Sequence, residues 1–182
     1  MLGREKRMSD NAQSIAYDSF SCQFGSGLIA SSEKGICYLG FTENGVKDTL
    51  EDLQSAWPDV PLVQADGRLG KVAESLFRFP QVTGASLDLD GTDFQIEVWK
   101  ALLQIPVGST VSYRWVAERV GRGSAIRAVA SAIGHNKLAY LIPCHRVVRT
   151  NGELGGYRWG TERKATLLAW ERASLPRQEA TA

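Results

Sequence analysis

The sequence predicts an α/β N-terminal half followed by a mainly helical C-terminal half, and three observations carry that division. Short apolar runs punctuated by glycine occupy residues 14 to 41, and apolar residues recur at helical spacing from residue 93 onward. Between them lies the turn-rich stretch "QVTGASLDLDG", residues 81 to 91, around a short apolar strand. With 182 residues, 43% of them hydrophobic and 23% charged, the chain can bury one generous core or two small ones. Two small domains are expected, 12–85 and 90–174.

In the first half, "SIAYDSF", "GLIAS" and "GICYLGF" alternate or run apolar between Gly25, Gly27, Gly35 and Gly40, which predicts three strands. "VKDTLEDLQSAW" then sets Val46, Leu50, Leu53 and Trp57 at helical spacing until Pro58 stops the pattern, and "LGKVAESLFRF" repeats the theme before Pro80. Nothing reactive stands out in this half. Cys22 and Cys37 fall in strand patterns and are expected in the core.

In the second half Thr92 is the expected cap of a helix whose Phe94, Val98, Ala101, Leu102 and Ile105 share a face, ending at Pro106 and Gly108. A second helix from Ser112 carries Tyr113, Val116, Ala117 and Val120, and after the turn "GRGS" Ser124 is the expected cap of a third, with Ile126, Val129, Ala130 and Ile133. Two short amphipathic helices joined by a glycine turn predict a helix-turn-helix, and "RVVRTNGELGGY" predicts a hairpin turned at Asn151-Gly152. Together they predict a winged helix. Away from its core face the third helix carries small residues, Ala125, Ala128, Ser131 and Ala132, with Arg127 the one long side chain among them. Such a surface suits entry into a DNA groove, with Arg127 inserted in or beside the base stack, and equally suits tight packing on a neighbouring helix.

A formal net charge of +1 excludes a strongly basic protein, so contact with nucleic acid must come from a local patch. The segment from Arg114 to Arg177 supplies one, with twelve Lys and Arg against four Glu. The three cysteines lack metal-site spacing, so no zinc is expected. Their odd number, with no secretory signal, predicts reduced thiols and a cytoplasmic location. No apolar run has the length to cross a bilayer, so no membrane partner is expected. The polar opening "MLGREKRMSDN" is expected to be a disordered tail, with Met8 as an alternative start.

The chemistry concentrates in "IPCHRVV", residues 142 to 148, which places Cys144 beside His145. Pro143 restricts Ile142 to extended conformations and removes an N–H, fixing the exit of the chain at Cys144. A thiolate is the reactive form of cysteine and a nearby imidazole favours it, but sequence neighbours rarely face each other, so the coupling is expected through a water or a bend.

Across residues 91 to 171, "GTDFQIEVWKALLQIPVGSTVSYRWVAERVG", "AIRAVASAIGHN" and "IPCHRVVRTNGELGGYRWGTERKATLLAWE" resemble, in order, the O6-alkylguanine-DNA alkyltransferase family. "PCHRVVR" and "GGYRWG" most resemble the C-terminal alkyltransferase part of the bacterial adaptive-response protein, as does "ASSEKGICYLGF". The resemblance implies a ribonuclease-H-like N-terminal domain without activity of its own. It makes Cys144 the alkyl acceptor, with His145 and Glu171 completing a relay through water that keeps the thiol near ionisation. Asn136 would brace the active-site turn. Tyr113 would rotate the phosphate and assist protonation of the departing guanine, and Arg127 would fill the hole left by the flipped nucleotide. The third helix would enter the minor groove with Ser112, Ala125, Ala128 and Ser131 also at the DNA. Pro143, Val147, Val148, Gly155, Gly156, Tyr157 and Arg158 would form the alkyl pocket, and Lys164 matches a lysine near the site. The implied partner is duplex DNA carrying O6-alkylguanine, with no cofactor and a monomeric protein.

The implied chemistry suits these residues. A polarizable thiolate is well suited to in-line attack on an alkyl carbon, and the base must first leave the stack. The thioether product is not cleaved by water, so each molecule works once. Two departures from the family pattern stand out. The turn Gly121-Arg122-Gly123 lacks a proline usual there, which makes the helix start less rigid, and Arg158 replaces a small residue beside the pocket, which would narrow the alkyl groups accepted. Three other readings make different demands on the sequence. A lesion-binding relative without repair activity would carry tryptophan where Cys144 stands; a transcription factor would need zinc-binding cysteines and a longer chain; a cysteine hydrolase would need a distant histidine, for which only His135 is available.

Overall fold

The computed structural model describes residues 14–43, 45–80 and 84–175. The opening tail with Met8, part of the turn-rich 81–91 stretch, and Arg177 lie outside the described residues.

The first half forms a mixed sheet. Strands β1 (Ile15–Cys22), β2 (Gly25–Ser32) and β3 (Gly35–Phe41) run antiparallel in sequence, and β4 (Leu62–Gln64) adds parallel to β1, giving the order β3-β2-β1-β4. Helix α1 (Val46–Ala56) follows β3 and α2 (Arg68–Leu76) follows β4. Helix α1 meets the core through Thr49 and Leu53, whereas Val46, expected on that face, is exposed at the helix start. The three-residue β4 had no sequence signal of its own. Asp18, buried in β1, caps α2 by accepting from the backbone N–H of Gly67, Leu69 and Gly70 at 3.2, 3.0 and 3.3 Å. Cys37 is buried and Cys22 half-buried.

The second half is helical. Thr92 opens α3 (Asp93–Leu102) with a reciprocal capping box to Gln95. Ser112 caps α4 (Tyr113–Arg119) by accepting from Trp115 N–H at 3.1 Å. Helix α5 (Ile126–Gly134) starts one residue later than its expected cap allows: Ala125 occupies the N-cap with no side-chain bond, so Ser124 does not cap it. Ala132, expected on the outer face, is buried, and its carbonyl accepts from Trp99 Nε1 at 2.9 Å, so that part of α5 packs on α3. Asn151-Gly152 does form a turn, closed by Arg149 and Glu153, but not a hairpin. The strand β6 (Val147–Val148) pairs instead in parallel with β5 (Val111–Ser112). Helix α6 (Thr161–Ala173) closes the described chain.

The larger hydrophobic core runs across the expected seam, joining Phe20, Phe41 and Phe77 to Val98, Val129, Cys144 and Leu167. A smaller one lies under α1 around Leu28, Tyr38 and Leu53. The edge of β3 is covered by two passing segments. Ile36 pairs with Leu87, and Leu39 both accepts from Ala139 N–H at 2.7 Å and donates to the Lys137 carbonyl at 3.0 Å. The sheet thereby anchors the segment that leads directly into Cys144.

Candidate active site

The turn around Cys144 is built from tight backbone geometry. Among the described residues Tyr140 is the non-glycine residue with positive φ (65°), and Leu141 N–H bonds the Ala139 carbonyl across it at 2.6 Å, a strained three-residue turn. Burial compensates for that strain: the Tyr140 ring is 2% exposed, packs against Phe77 and Trp170, and its hydroxyl donates to the Phe79 carbonyl at 2.9 Å. A three-residue turn of the unstrained inverse kind follows at Pro143, whose φ of −78° and ψ of 57° let Cys144 N–H reach the Ile142 carbonyl at 2.7 Å. Residues 144 to 146 then form one turn of 3₁₀ helix.

Asn136 ties this turn together. Its amide Nδ2 donates to the carbonyls of Leu138 and Ile142 and to Cys144 Sγ, each at 3.2 Å, while Oδ1 accepts from Leu138 N–H at 2.9 Å. Burial pushes the Cys144 thiol up to about 11, against the opposing pull of the Asn136 hydrogen bond and the Lys164 charge. The structure thus differs from the expectation of a thiol near ionisation: in the free protein, low-dielectric surroundings keep the proton on sulfur.

His145 is fully buried, and its Nε2 lies 2.8 Å from Glu171 Oε1. Burial lowers the imidazole below its ordinary value despite the carboxylate, so the ring is neutral at pH 7. With the carboxylate accepting from Nε2–H, Nδ1 carries the lone pair, and Nδ1 is buried with no hydrogen-bond partner in the protein. Burial alone would raise the Glu171 carboxyl; hydrogen bonds from His145 and Arg146 overcome it and hold Glu171 at about 2. Arg146 is a site residue that the sequence pattern does not single out. It clamps Glu171 through Nε at 3.1 and 3.0 Å and Nη2 at 2.7 Å, and its Nη1 donates to the Ile105 carbonyl at 2.6 Å. Gly108 N–H adds a bond to Glu171 Oε2 at 3.1 Å. The adjacency in "CHR" was its only sequence signal.

Cys144 opens on a cavity of about 290 Å³ lined by Tyr113, Ala130, Ile133, Gly134, Gly156, Tyr157 and Arg158. Of the pocket residues expected from the sequence, Gly156, Tyr157 and Arg158 line it. Pro143, Val147, Val148 and Gly155 do not: Val147 and Val148 form β6, Pro143 is buried behind the thiol, and Gly155 backs onto the Tyr113 phenol. At Gly155, where φ is +67°, a Cβ would come within 3.1 Å of Tyr113 Oη, so this approach requires glycine. Ala130, Ile133 and Gly134, which the sequence pattern assigned to helix packing or left aside, bring α5 into the wall. Burial, then the neighbouring Cys144, raises the phenols of both Tyr113 and Tyr157, so each stays protonated; the Tyr157 hydroxyl is buried without a protein partner.

Lys164 is wholly buried and donates to the carbonyls of Val147 at 2.6 Å, Gly156 at 3.2 Å and Leu154. Three acceptors match the three N–H of an ammonium, although burial lowers the group to about 8. It ties the pocket loop to the strand that follows Cys144. On α5, Arg127, Ala128 and Ser131 are exposed, the N-cap Ala125 is half-buried, and none of them lines the cavity at Cys144. Ser112, half-buried, is occupied as the cap of α4. Among the described residues no group of three or more His, Cys, Asp or Glu is placed to hold a metal ion, and no helix is long and apolar enough to cross a membrane.

The order of these elements matches known proteins. Residues 93–173 match the family model for the DNA-binding domain of 6-O-methylguanine DNA methyltransferase. The inducible methylated-DNA–protein-cysteine methyltransferase of Bacillus subtilis is 36% identical over 148 residues, covering 79% of this chain and 83% of that protein. The chain belongs to the methylated-DNA–protein-cysteine methyltransferase family. The Escherichia coli bifunctional transcriptional activator/DNA repair enzyme Ada, another relative, is 41% identical over 175 residues, or 94% of this chain. Yet the chain spans about half the length of the first curated relatives it matches, 49% in the case of Ada. Among solved structures, the Mycobacterium tuberculosis O6-methylguanine methyltransferase superposes with a TM-score of 0.74 at 33% identity, covering 90% of this chain and 96% of that one. A second structure of that protein, in complex with DNA, gives a TM-score of 0.69 at 32% identity, covering 89% and 96%.

Proposed function

We propose that this chain repairs DNA directly, by irreversible transfer of the alkyl group of O6-methylguanine, and less efficiently of O4-methylthymine, to Cys144. One observation carries the reading: a buried thiol opens on a 290 Å³ cavity, backed by a neutral imidazole whose buried Nδ1 has no protein partner. In this reading a water bridges Cys144 and His145 Nδ1. The thiol proton leaves toward the imidazole as the S–C bond forms and the C–O6 bond breaks, and the guanine gains a proton with the Tyr113 phenol assisting. Thiol plus O6-methylguanine becomes thioether plus guanine. Glu171 stabilises the imidazolium that forms, and Arg146 holds Glu171 in place. Because the resting thiol sits at about 11, ionisation is coupled to attack rather than preceding it.

Helices α4 and α5 act as a helix-turn-helix. The outer face of α5 enters the minor groove, and Arg127 fills the space of the extruded nucleotide. The first part of the chain, 12–85, is a ribonuclease-H-like scaffold; 90–174 binds DNA and accepts the alkyl group, as a monomer in the cytoplasm. A lesion-binding relative without repair activity is not favoured, since a cysteine occupies the acceptor position. The test is a duplex carrying a labelled O6-methyl group, followed by peptide mass. Wild type gains one methyl on Cys144 and stops after one event, and Cys144→Ala removes none. Removal of the methyl by Cys144→Ala, or many turnovers by wild type, would defeat the proposal.

A further inference from the structure

Arg158 stands between two cavities. One is the 290 Å³ cavity that holds Cys144; the other, about 330 Å³, is bounded by Tyr38, Phe41, Asp52 and Trp159, and Arg158 lines both. Its position is not left to the loop. Arg158 Nη2 donates to both oxygens of Asp52 on α1, at 2.6 and 2.8 Å, and Asp52 Oδ2 also accepts from the Tyr38 hydroxyl on β3 at 2.8 Å. Tyr38 is 1% exposed and sits in the smaller core, so the far end of this chain of contacts is immobile. The near end is open to solvent: the Arg158 and Asp52 side chains are 34% and 39% exposed, while the adjoining Trp159 is buried in the larger core. Lys164 holds the inner side of that loop through the carbonyls of Leu154 and Gly156, and the ion pair to Asp52 adds a polar tie to the first half beside the apolar one made by Trp159.

We propose that the Arg158–Asp52–Tyr38 tether is the size gate of the alkyl pocket. With the tether made, the Arg158 side chain partitions the two cavities and confines the substituent beside Cys144 to small alkyl groups. With it broken, the partition swings away and the pocket extends into the second cavity, admitting bulky O6 substituents. Asp52 and Tyr38 are positioning residues that never touch the substrate, and the gate gives the otherwise unreactive first half a role in specificity. The inference rests on the alkyl-transfer reading above.

The experiment compares second-order rate constants for transfer from one duplex sequence carrying either O6-methylguanine or O6-benzylguanine, so that DNA affinity cancels in the benzyl-to-methyl ratio. Asp52→Ala is expected to raise that ratio about fivefold, the scale of a half-exposed ion pair, with the methyl rate constant changed by less than about twofold. Tyr38→Phe gives a smaller rise. Added salt raises the wild-type ratio by screening the pair and leaves that of Asp52→Ala unmoved, which a purely structural role for Asp52 would not produce. Asp52→Asn, which keeps the shape and removes the charge, serves if the alanine variant does not fold. An unchanged or lowered ratio in a variant that still transfers methyl overturns the gate alone. Failure of wild type to transfer methyl overturns the alkyl-transfer reading and the gate with it.

Discussion

The turn at Cys144 and the outer face of α5 lie on consecutive segments of chain, yet they are built on opposite principles. Behind the thiol, His145, Lys164 and Glu171 are wholly buried and Arg146 nearly so, and Glu171 alone receives bonds from His145, Arg146 and Gly108. On α5, Arg127, Ala128 and Ser131 are exposed and short side chains surround the one long one. Buried charge is tolerable only when fully paired, so the first region couples chemistry to stability. The second is free of that coupling. Substitutions should therefore separate the two regions by whether stability moves along with activity.

The largest separation is expected from Glu171→Ala, which leaves the Arg146 guanidinium buried without its carboxylate. We expect a loss of roughly 3–5 kcal/mol in urea unfolding, together with loss of alkyl transfer. The same carboxylate predicts acid sensitivity. Its value of about 2 in the folded protein lies below the unfolded 4.5, so its stabilising contribution is complete above about pH 4.5 and is lost as pH falls toward 2. That contribution is roughly 3 kcal/mol, from the conversion of about 1.4 kcal/mol per pH unit, and the stability gap between wild type and Glu171→Ala should close over the same interval in acid titration. The smallest stability effect is expected from Arg127→Ala, within about 0.5 kcal/mol in the same unfolding assay.

The contrast also explains what was legible in the sequence. Helices α3 and α4 were readable because local rules fix them: Thr92 and Gln95 close a capping box within one turn, and Val116 and Ala117, three and four positions after Tyr113, face the core. Strand β4 was not, because its three residues owe their conformation to β1 rather than to their own pattern. The expected hairpin at Asn151-Gly152 is a bare turn, and β6 pairs instead with β5, over thirty residues earlier. In the site, Cys144 and His145 stand side by side and are legible as residues, whereas Asn136, eight positions before Cys144, comes only from the family resemblance. Arg146 and Asp52 act through partners 25 and 106 positions away, Glu171 and Arg158, and no local pattern encodes those meetings. The thiol's protonation is not legible for a related reason: it depends on burial from all sides, which sequence adjacency to a histidine does not report.

The most direct test of the division between the two regions is to measure alkyl transfer by Arg127→Ala and Glu171→Ala on two substrates, an alkylated duplex and the free O6-alkylated base. Arg127→Ala is predicted to lose most of its rate on the duplex and little on the free base, while Glu171→Ala loses on both. Equal losses by Arg127→Ala on duplex and free base would contradict the account, because the outer face of α5 would then be part of the chemistry rather than of the grip on DNA.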